Sequence, residues 1–262
     1  EEGKDMKNIV YNGDKYSNIF KLDDNTLLKY SEQNKDNWKY LIEHKKELPF
    51  LNIPTKIEDL DEIEKTIYET SCDSKTKIYL PYLKDYNTLF NETITKNFYT
   101  SDILKLIKKI LILIKDMHNK KVIHSDLHSH NIMINEDLDI TLIDLDLSII
   151  NNNPSKSNPY FEDEQIENMI KYSKRDDKIE ILNLLLHYLI NSNFKKNDLH
   201  NVNIKDIMLP DNILNEFKNI LNTENVSDDY YFIDLIDELL RIGYESPIII
   251  RRKVLSKYDF RL

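Results

Sequence analysis

The chain has 262 residues, 40% of them hydrophobic, which suits a folded protein of one large domain or two small lobes. Its formal net charge of −10 argues against binding to nucleic acid or to an anionic membrane surface, and no apolar run approaches the roughly 20 residues of a membrane span. The only cysteine, Cys72, excludes an intramolecular disulfide and a cysteine-based metal site, and this favours a cytoplasmic location.

Short apolar segments between turn-forming residues predict a β-rich first third of the chain. Asp23, Asp24 and Asn25 form one such turn, which predicts a strand on either side of it. Two later segments, KTIYET and TKIYL, are rich in residues typical of strands. The predicted strands cover residues 8–11, 18–22, 26–30, 65–70 and 76–80.

Apolar residues at helical spacing predict three helices. One covers residues 102–117, with Ser101 or Asp102 expected as its N-cap. Another covers residues 178–190 and is apolar nearly all round, so we expect it to be buried. The earliest helix covers residues 33–48 and carries its charges on one side.

This order of elements predicts an α+β protein with two parts of different character. Residues 1–80 are expected to form a small β lobe with one helix, and residues 87–262 a larger helical lobe. Residues 81–86 would connect the two lobes. The larger lobe is also expected to contain a short hairpin from residues 132–134 and 140–143.

The stretch VIHSDLHSHNIMINEDLDITLIDLD, residues 122–146, places many ionisable residues beside apolar segments. Asp126 and Asn131 are five residues apart, and the second hairpin strand leads to Asp144, 13 residues after Asn131. Acidic side chains are rarely buried unless they are paired or bind a metal. The stretch is therefore either a solvated surface over buried strands or a site for cations and phosphate.

The pattern resembles the catalytic loop and metal-binding segment of the protein kinase superfamily, H-x-D-x-x-x-x-N followed by a strand that ends in Asp. The resemblance covers essentially the whole chain and implies a two-lobed fold, with a small antiparallel β lobe carrying one helix and a larger helical lobe. It also implies roles in phosphoryl transfer. Asp126 would orient the attacking hydroxyl, Asn131 and Asp144 would bind Mg²⁺, and Lys29 would hold the α and β phosphates of ATP.

The resemblance further implies a nucleotide site. Glu43 on the first predicted helix would form an ion pair with Lys29, and Glu47 is the next candidate one turn later. Residues 81–86 resemble the hinge, whose backbone groups would contact adenine. His128 stands at a position near the γ-phosphate. Further nucleotide contacts are implied for Gly13, Tyr16, Ile19, Leu27, Leu80, Pro81, Tyr82, Leu83, Met133 and Ile143.

The chain departs from the family pattern at four places. Gly13 is the only glycine in the phosphate loop, so we expect a looser phosphate clamp. Ser125 replaces an arginine that binds the activation-loop phosphate of many kinases, so we expect activity without loop phosphorylation. Leu145 replaces the usual Phe and should pack in its place. Asp146 replaces the usual Gly and is a candidate metal ligand.

The favoured interpretation is a kinase that uses ATP and Mg²⁺ and transfers the γ-phosphoryl group to a Ser or Thr of a protein. His128 and Asp146 look more like the small-molecule branch, so an aminoglycoside- or choline-type phosphotransferase is the first alternative. A catalytically weak nucleotide-binding scaffold is the second. The expected partners are ATP and a protein or small hydroxyl acceptor, in the cytoplasm of the protein's own cell or of a host cell.

Overall fold

The structure is a computed structural model that describes residues 19–69, 75–95, 100–161, 165–190 and 231–243. The strand predicted at residues 8–11 and the loop residues Gly13 and Tyr16 lie outside the described residues. The prediction of an α+β protein with an antiparallel sheet near the N-terminus is confirmed.

The strands of the described residues form three small sheets. They are β1 (Ile19–Lys21), β2 (Thr26–Ser31), β3 (Lys56–Glu58), β4 (Thr76–Pro81), β5 (Asn87–Thr88), β6 (Val122–Ile123), β7 (Ile132–Ile134), β8 (Ile140–Leu142), β9 (Ile149–Ile150) and β10 (Asn153–Pro154). The first sheet has the order β1-β2-β4-β3, and the others have the orders β5-β7-β8 and β10-β9-β6. All neighbouring strands in these sheets are antiparallel.

The described residues also form six α-helices and a short 3₁₀ helix at Lys45–Glu47. The α-helices are α1 (Lys35–Glu43), α2 (Glu62–Tyr68), α3 (Leu89–Thr95), α4 (Thr100–Asn119), α5 (Ile166–Ile190) and α6 (Tyr231–Arg241). The helix predicted at residues 33–48 is therefore an α-helix only over Lys35–Glu43, and the 3₁₀ helix at Lys45–Glu47 follows it. No helix in this part of the chain combines the length and apolar character that a membrane crossing requires.

The chain divides into two compact units. The first comprises the described residues up to Leu89 together with Met117–Asp126 and His130–Lys174. The second comprises Phe90–Asp116, Leu127–Ser129 and the described residues from Arg175 onward. The lobe boundaries expected at residues 80 and 87 remain a prediction.

The strand predicted at residues 65–70 is wrong, because most of this segment belongs to helix α2. A capping box begins the helix: the Asp61 carboxylate accepts from the Glu64 backbone N–H at 2.8 Å, and the Glu64 carboxylate accepts from the Asp61 backbone N–H at 3.1 Å. These two hydrogen bonds satisfy backbone donors that a helix start leaves unpaired. Local capping therefore outweighs the β propensity of Thr66, Ile67 and Tyr68.

Helix α2 lies against one apolar face of the first sheet. Strands β1 and β2 place Phe20, Leu28 and Tyr30 on this face, where they pack with Leu60. Tyr68 of α2 stacks on Tyr30, with ring centroids 3.8 Å apart. Such an aromatic pair contributes about 0.5–1.5 kcal/mol beyond the area that it buries. Lys29 and Ser31 alternate with Leu28 and Tyr30 along β2 and therefore project from the opposite face of the sheet.

Glu64 is expected to make the stability of the first unit fall in acid. Burial acts to raise its pKa, but the Tyr30 hydroxyl at 2.7 Å, the Asp61 N–H and the Lys77 ammonium at 3.1 Å lower that pKa below its ordinary value. A lowered folded pKa gives stability that is present above the unfolded pKa and is lost as the pH falls through the folded pKa. In urea unfolding, Glu64→Gln should therefore lower the free energy of unfolding at about pH 6, and this loss should shrink as the pH falls to about 3. The control Glu62→Gln, at an exposed site on the same helix, should show no such change; a pH-independent cost of Glu64→Gln would contradict the prediction.

Backbone hydrogen bonds join the hairpin β7–β8 to the segment after the 3₁₀ helix. The Leu142 N–H donates to the Phe50 carbonyl at 2.8 Å, and the Asn52 N–H donates to the Leu142 carbonyl at 3.0 Å. Leu51 and Leu142 form a parallel bridge between these bonds. All of these residues belong to the first unit, so the hairpin that leads to Asp144 is fixed within the same unit as the first sheet.

The second unit contains most of the buried face of α4. The apolar residues that predicted a helix at residues 102–117 are all buried: Ile103, Leu106, Ile107, Ile110, Leu111, Ile114 and Met117. Lys108 of α4 forms an ion pair with Asp237 of α6 at 2.5 Å. The helix predicted at residues 178–190 is the C-terminal half of α5. The helix begins earlier than predicted, at Ile166, because the polar residues that precede Lys178 are helical as well. Asp177 and Lys178 are both buried.

Candidate functional site

The first unit brings together a lysine of the first sheet and two aspartates that follow strand β8. The Lys29 ammonium lies 3.1 Å from Asp144 Oδ1 and 3.2 Å from Asp146 Oδ2. The Lys29 side chain is 12% exposed, that of Asp146 16%, and that of Asp144 39%. Residues 115 positions apart in sequence thus form one partly buried ionic cluster. Asp144 is its most accessible member.

Electrostatics favour the charged forms of Lys29 and Asp144. Burial disfavours the charged lysine, but the attraction of Asp146 and then of Asp144 outweighs burial and raises the pKa of Lys29 above its ordinary value. Burial also acts to raise the pKa of Asp144, yet the charge of Lys29 and its hydrogen bond lower that pKa below the ordinary value. For Asp146, burial dominates and raises the pKa, although Lys29 opposes this change. Asp144 is therefore the carboxylate most available as an anion for a cation.

The Ser31 hydroxyl fixes the Asp146 carboxylate. It donates to Asp146 Oδ1 at 2.5 Å and accepts from the Trp38 indole N–H and the Gln33 backbone N–H, both at 3.1 Å. Ser31 is fully buried, so its one donor and two acceptor positions are all used within the protein. Helix α1 thereby supports the cluster through Trp38. Asp146 has one oxygen bound to Ser31 and the other facing Lys29.

The Gln33 side chain holds the segment that follows Asp144. Its amide nitrogen donates to the Leu145 carbonyl at 2.7 Å and to the Ser148 carbonyl at 3.0 Å. Its amide oxygen accepts from the Asn37 side chain at 2.9 Å. Gln33 is 1% exposed, and such buried polar groups stabilise only when fully paired. The side chain therefore joins the start of α1 to the backbone around both aspartates.

His124 joins the backbone at Asp126 to the residue before Asp144. Its Nε2 lies 2.8 Å from the Ile143 carbonyl, and its Nδ1 lies 3.1 Å from the Asp126 backbone N–H. Because a carbonyl only accepts and an N–H only donates, Nε2 carries the proton and Nδ1 is the acceptor. The imidazole is fully buried. His124 is thus a structural brace between these two segments.

Asn131 is oriented by Asp126. Its amide nitrogen donates to the Asp126 carbonyl at 2.9 Å and lies 3.4 Å from the Asp126 carboxylate. The Ile143 N–H donates to the Asn131 carbonyl at 3.0 Å, which places Asn131 beside the strand that ends at Asp144. Because the amide nitrogen is used in this way, the amide oxygen is the atom with which Asn131 would bind a cation. The structure brings Asp126, Asn131 and Asp144 into one connected set.

Ser125, which precedes Asp126, and Asp144 both have a left-handed backbone that L-amino acids rarely adopt. The φ angle is +72° at Ser125 and +62° at Asp144. Asn158 supports the first of these, because its amide donates to the Ser125 hydroxyl at 3.2 Å and to the Leu147 carbonyl at 2.8 Å. Non-glycine residues in this region cost about 1–3 kcal/mol and are concentrated at functional sites. The strain is consistent with a backbone shaped to present Asp126 and Asp144.

Four of the predicted nucleotide residues share one face of the first sheet. Ile19 pairs with Lys29 across β1 and β2, and Leu27 pairs with Leu80 across β2 and β4. Directly opposed residues in an antiparallel pair project to the same face, as do residues two apart on one strand. Ile19, Leu27, Lys29 and Leu80 therefore lie on the face opposite the cluster of Phe20. This arrangement offers an apolar surface beside a cation.

The predicted hinge has fewer available backbone groups than the sequence suggests. The Pro81 carbonyl accepts from the Asn52 side chain at 3.2 Å, and the Tyr82 N–H donates to the Asn25 carbonyl at 2.9 Å. The Leu83 carbonyl accepts from Tyr86 at 3.1 Å. Among the described residues, no hydrogen bond engages the Leu83 N–H. Of the three residues predicted to contact adenine, Pro81, Tyr82 and Leu83, only Leu83 therefore has a backbone N–H that remains available to a base.

The predicted ion pair between Lys29 and Glu43 is wrong for this structure. Within the described part of the chain, Lys29 forms its ion pairs with Asp144 and Asp146, while Glu43 is exposed at the last residue of α1. Glu47, the other candidate, is also exposed. The physical reason is the preorganised Asp146 carboxylate, which Ser31 holds next to the lysine.

The remaining predicted residues are divided between the units. Met133 in β7 and Ile143 after β8 are half-buried in the first unit, whereas His128 belongs to the second. The sequence interpretation missed Ser31, Gln33 and Asn158. Alternation along β2 was a usable signal for one of them, because Ser31 is two residues after Lys29 and so projects to the same face.

The donor set fits Mg²⁺ bound together with a nucleotide. Carboxylate and amide oxygens are suitable ligands, and Mg²⁺ usually takes only one or two protein carboxylates and completes its shell with phosphates and water. Accordingly, the described residues contain no group of three His, Cys, Asp or Glu that would hold a metal alone. Both hydrogen bonds made by Asp144 go to Oδ1, which leaves Oδ2 accessible to a cation. Asn131 and Asp144 are the residues that would hold the ion.

Comparison with protein families matches residues 72–182 to the RIO domain. This segment contains Asp126, Asn131 and Asp144 but begins after Lys29. The ion pair between Lys29 and Asp144 therefore links the matched segment to a residue outside it. The comparison with curated proteins finds no match.

Proposed function

We propose that this chain is a member of the protein kinase-like superfamily and that it phosphorylates Ser or Thr residues of a protein. A RIO domain is an atypical kinase-like domain and implies an ATP-binding phosphotransferase. One observation carries the proposal: Lys29 is ion-paired with Asp144 in the compact unit that also holds Asp126 and Asn131. A lysine beside an acidic cation site is the arrangement that a metal-bound triphosphate requires.

Each residue has a role that follows from its position. Mg²⁺, when bound with ATP, supplies charge neutralisation of the phosphates. Asn131 and Asp144 would hold the ion, and Lys29 would bind the phosphates as a point charge. Asp126, fixed through His124 and Asn131, would orient the acceptor hydroxyl and take its proton. Positioning and charge stabilisation supply most of the rate in this chemistry.

The segment after the site supports a protein acceptor and activity without loop phosphorylation. Asn158 and Ser173 are joined at 3.4 Å, and the Ser157 hydroxyl donates to the Glu32 carboxylate at 2.7 Å. The segment is thus held by hydrogen bonds between unmodified side chains rather than by a phosphate. The stretch NPYFEDEQI, residues 158–166, resembles the end of a protein kinase activation segment in sequence, and this favours a protein acceptor over a small-molecule acceptor. We propose that the protein acts in the cytoplasm, on a protein partner.

A small-molecule phosphotransferase is the second candidate. Asp146 favours it, because the aspartate after the metal-binding position looks like that of aminoglycoside-type kinases. The two candidates differ in what they phosphorylate and not in the nucleotide chemistry.

The test is transfer from labelled ATP. The protein with Mg²⁺ should label itself or specific Ser and Thr residues of a cell lysate, and Asp126→Asn should reduce this labelling at least about 100-fold, the scale of a lost general base. Asp116→Asn, at a half-buried site on α4, is the matched control and should retain labelling. Turnover that appears only when an aminoglycoside or amino alcohol is added would favour the second candidate. Thermal stabilisation by Mg·ATP without any transfer would overturn both.

A further inference from the structure

We infer that Asp146, held by Ser31, is the positioning residue for Lys29, so that the acid orienting this lysine comes from the segment after β8 and not from helix α1. The inference rests on the proposed function and deepens it. It replaces two sequence-based expectations, namely Glu43 as the partner of Lys29 and Asp146 as a metal ligand.

The first support is the difference between the two carboxylates that Lys29 contacts. Asp144 has a left-handed backbone, is 39% exposed and has only Oδ1 hydrogen-bonded, so it is suited to exchange Lys29 for a cation. Asp146 is 16% exposed, and both of its oxygens are used: Oδ1 accepts from Ser31, and Oδ2 faces Lys29 at 3.2 Å. Asp146 is therefore the partner that stays with Lys29 when Asp144 binds a metal.

The second support is the set of contacts behind Asp146. Ser31 lies two residues after Lys29 on β2, and its hydroxyl is saturated by Asp146, Trp38 and Gln33. The Glu32 backbone N–H also points at Asp146 Oδ2, at 3.4 Å. Since these donors come from the last residue of β2 and the residue after it, the strand that carries Lys29 also fixes the carboxylate that faces it.

The third support is the position of the alternative acids. Glu43 and Glu47 are both exposed, and neither forms an ion pair with Lys29 within the described part of the chain. Helix α1 contributes instead through Trp38, whose indole supports Ser31. Orientation of Lys29 thus needs no acidic side chain from α1.

The test is a double-mutant cycle read out as Mg·ATP affinity by titration calorimetry and, separately, as the KM for ATP and kcat. Asp146→Asn is expected to weaken Mg·ATP binding about 10-fold or more, the scale of a lost charge-assisted hydrogen bond. Glu43→Gln is expected to change it less than about twofold, as an exposed carboxylate would. In a Lys29→Met background, Asp146→Asn should have no further effect, because its role runs through the lysine.

Two further variants separate positioning from simple loss of folding. Ser31→Ala should weaken Mg·ATP binding in the same direction as Asp146→Asn, and Ser31→Thr, which keeps the hydroxyl, should restore most of it. Thermal unfolding without nucleotide identifies any variant that fails to fold, and binding is compared only among folded variants. Asp59→Asn, in an exposed ion pair of the first unit, serves as the control for loss of an acid.

Three results would overturn the inference. The first is a loss from Glu43→Gln equal to that from Asp146→Asn, which would place the partner on α1. The second is an undiminished effect of Asp146→Asn in the Lys29→Met background, which would make Asp146 a metal ligand. The third is wild-type protein that binds no Mg·ATP, which would remove the proposed function and the inference with it. Normal wild-type binding with either of the first two results would remove the inference alone.

Discussion

Asp144→Asn is expected to reduce phosphoryl transfer by about 1000-fold, the rate equivalent of roughly 4 kcal/mol of lost charge stabilisation. The substitution keeps the size and hydrogen-bonding shape of the side chain but removes its negative charge. Asp144 is the exposed carboxylate of the cluster, and its pKa is lowered by Lys29 despite burial, so it is an anion at neutral pH. No other carboxylate of the cluster is equally placed, because Asp146 is held by Ser31.

The measurement is kcat for ATP-dependent transfer at saturating Mg²⁺, with Asp137→Asn as the matched control. Asp137 is an exposed residue of the turn between β7 and β8, and the same substitution there should leave kcat within about twofold, as at ordinary surface sites. Asp144→Asn should also raise the Mg²⁺ concentration needed for half-maximal rate. A variant with normal kcat and normal Mg²⁺ dependence would show that Asp144 does not hold the metal.

The residues around Asp144 show what sequence spacing can predict. Asp126, Asn131 and Asp144 are close in sequence, and a short hairpin fixes their relation, so their convergence follows from the motif alone. Lys29 is 115 residues away from Asp144. Its position was predicted only because the order of strands resembles that of a known family. Local motifs are therefore readable from the residues, whereas the distant partner needed the resemblance.

The two errors have different physical causes. Helix α2 was predicted as a strand because β-branched and aromatic residues dominate its end, while the capping box at Asp61 and Glu64 decides the local structure. Glu43 was predicted as the partner of Lys29 because it stands on the expected helix. In the structure, the buried Ser31 hydroxyl holds the Asp146 carboxylate 3.2 Å from the Lys29 ammonium, so Lys29 pairs with Asp146 and not with Glu43. Which carboxylate pairs with the lysine depends on three-dimensional packing and cannot be predicted from residue spacing.

Trp38→Ala is expected to cost roughly 3–5 kcal/mol of unfolding free energy, the usual cost of removing a large buried aromatic side chain. Trp38 is 2% exposed and lies on α1, where its ring fills the core and its indole N–H donates to Ser31 at 3.1 Å. A loss of this size is a large fraction of the total stability of a typical domain. Urea unfolding measures it, and a cost below about 1 kcal/mol would contradict the burial of this ring.

Trp38→Phe separates the packing of this ring from its hydrogen bond. Phenylalanine keeps much of the buried area but removes the indole N–H, so Ser31 loses one donor, and the expected cost falls to about 1–2 kcal/mol. Tyr40→Phe, on the same helix, is the matched control for loss of a polar atom from a half-buried ring. If α1 supports the site through Trp38 and Ser31, Trp38→Phe should weaken Mg·ATP binding, and Tyr40→Phe should not. Equal nucleotide affinity in the two variants, with both folded, would show that α1 stabilises the fold without orienting Lys29.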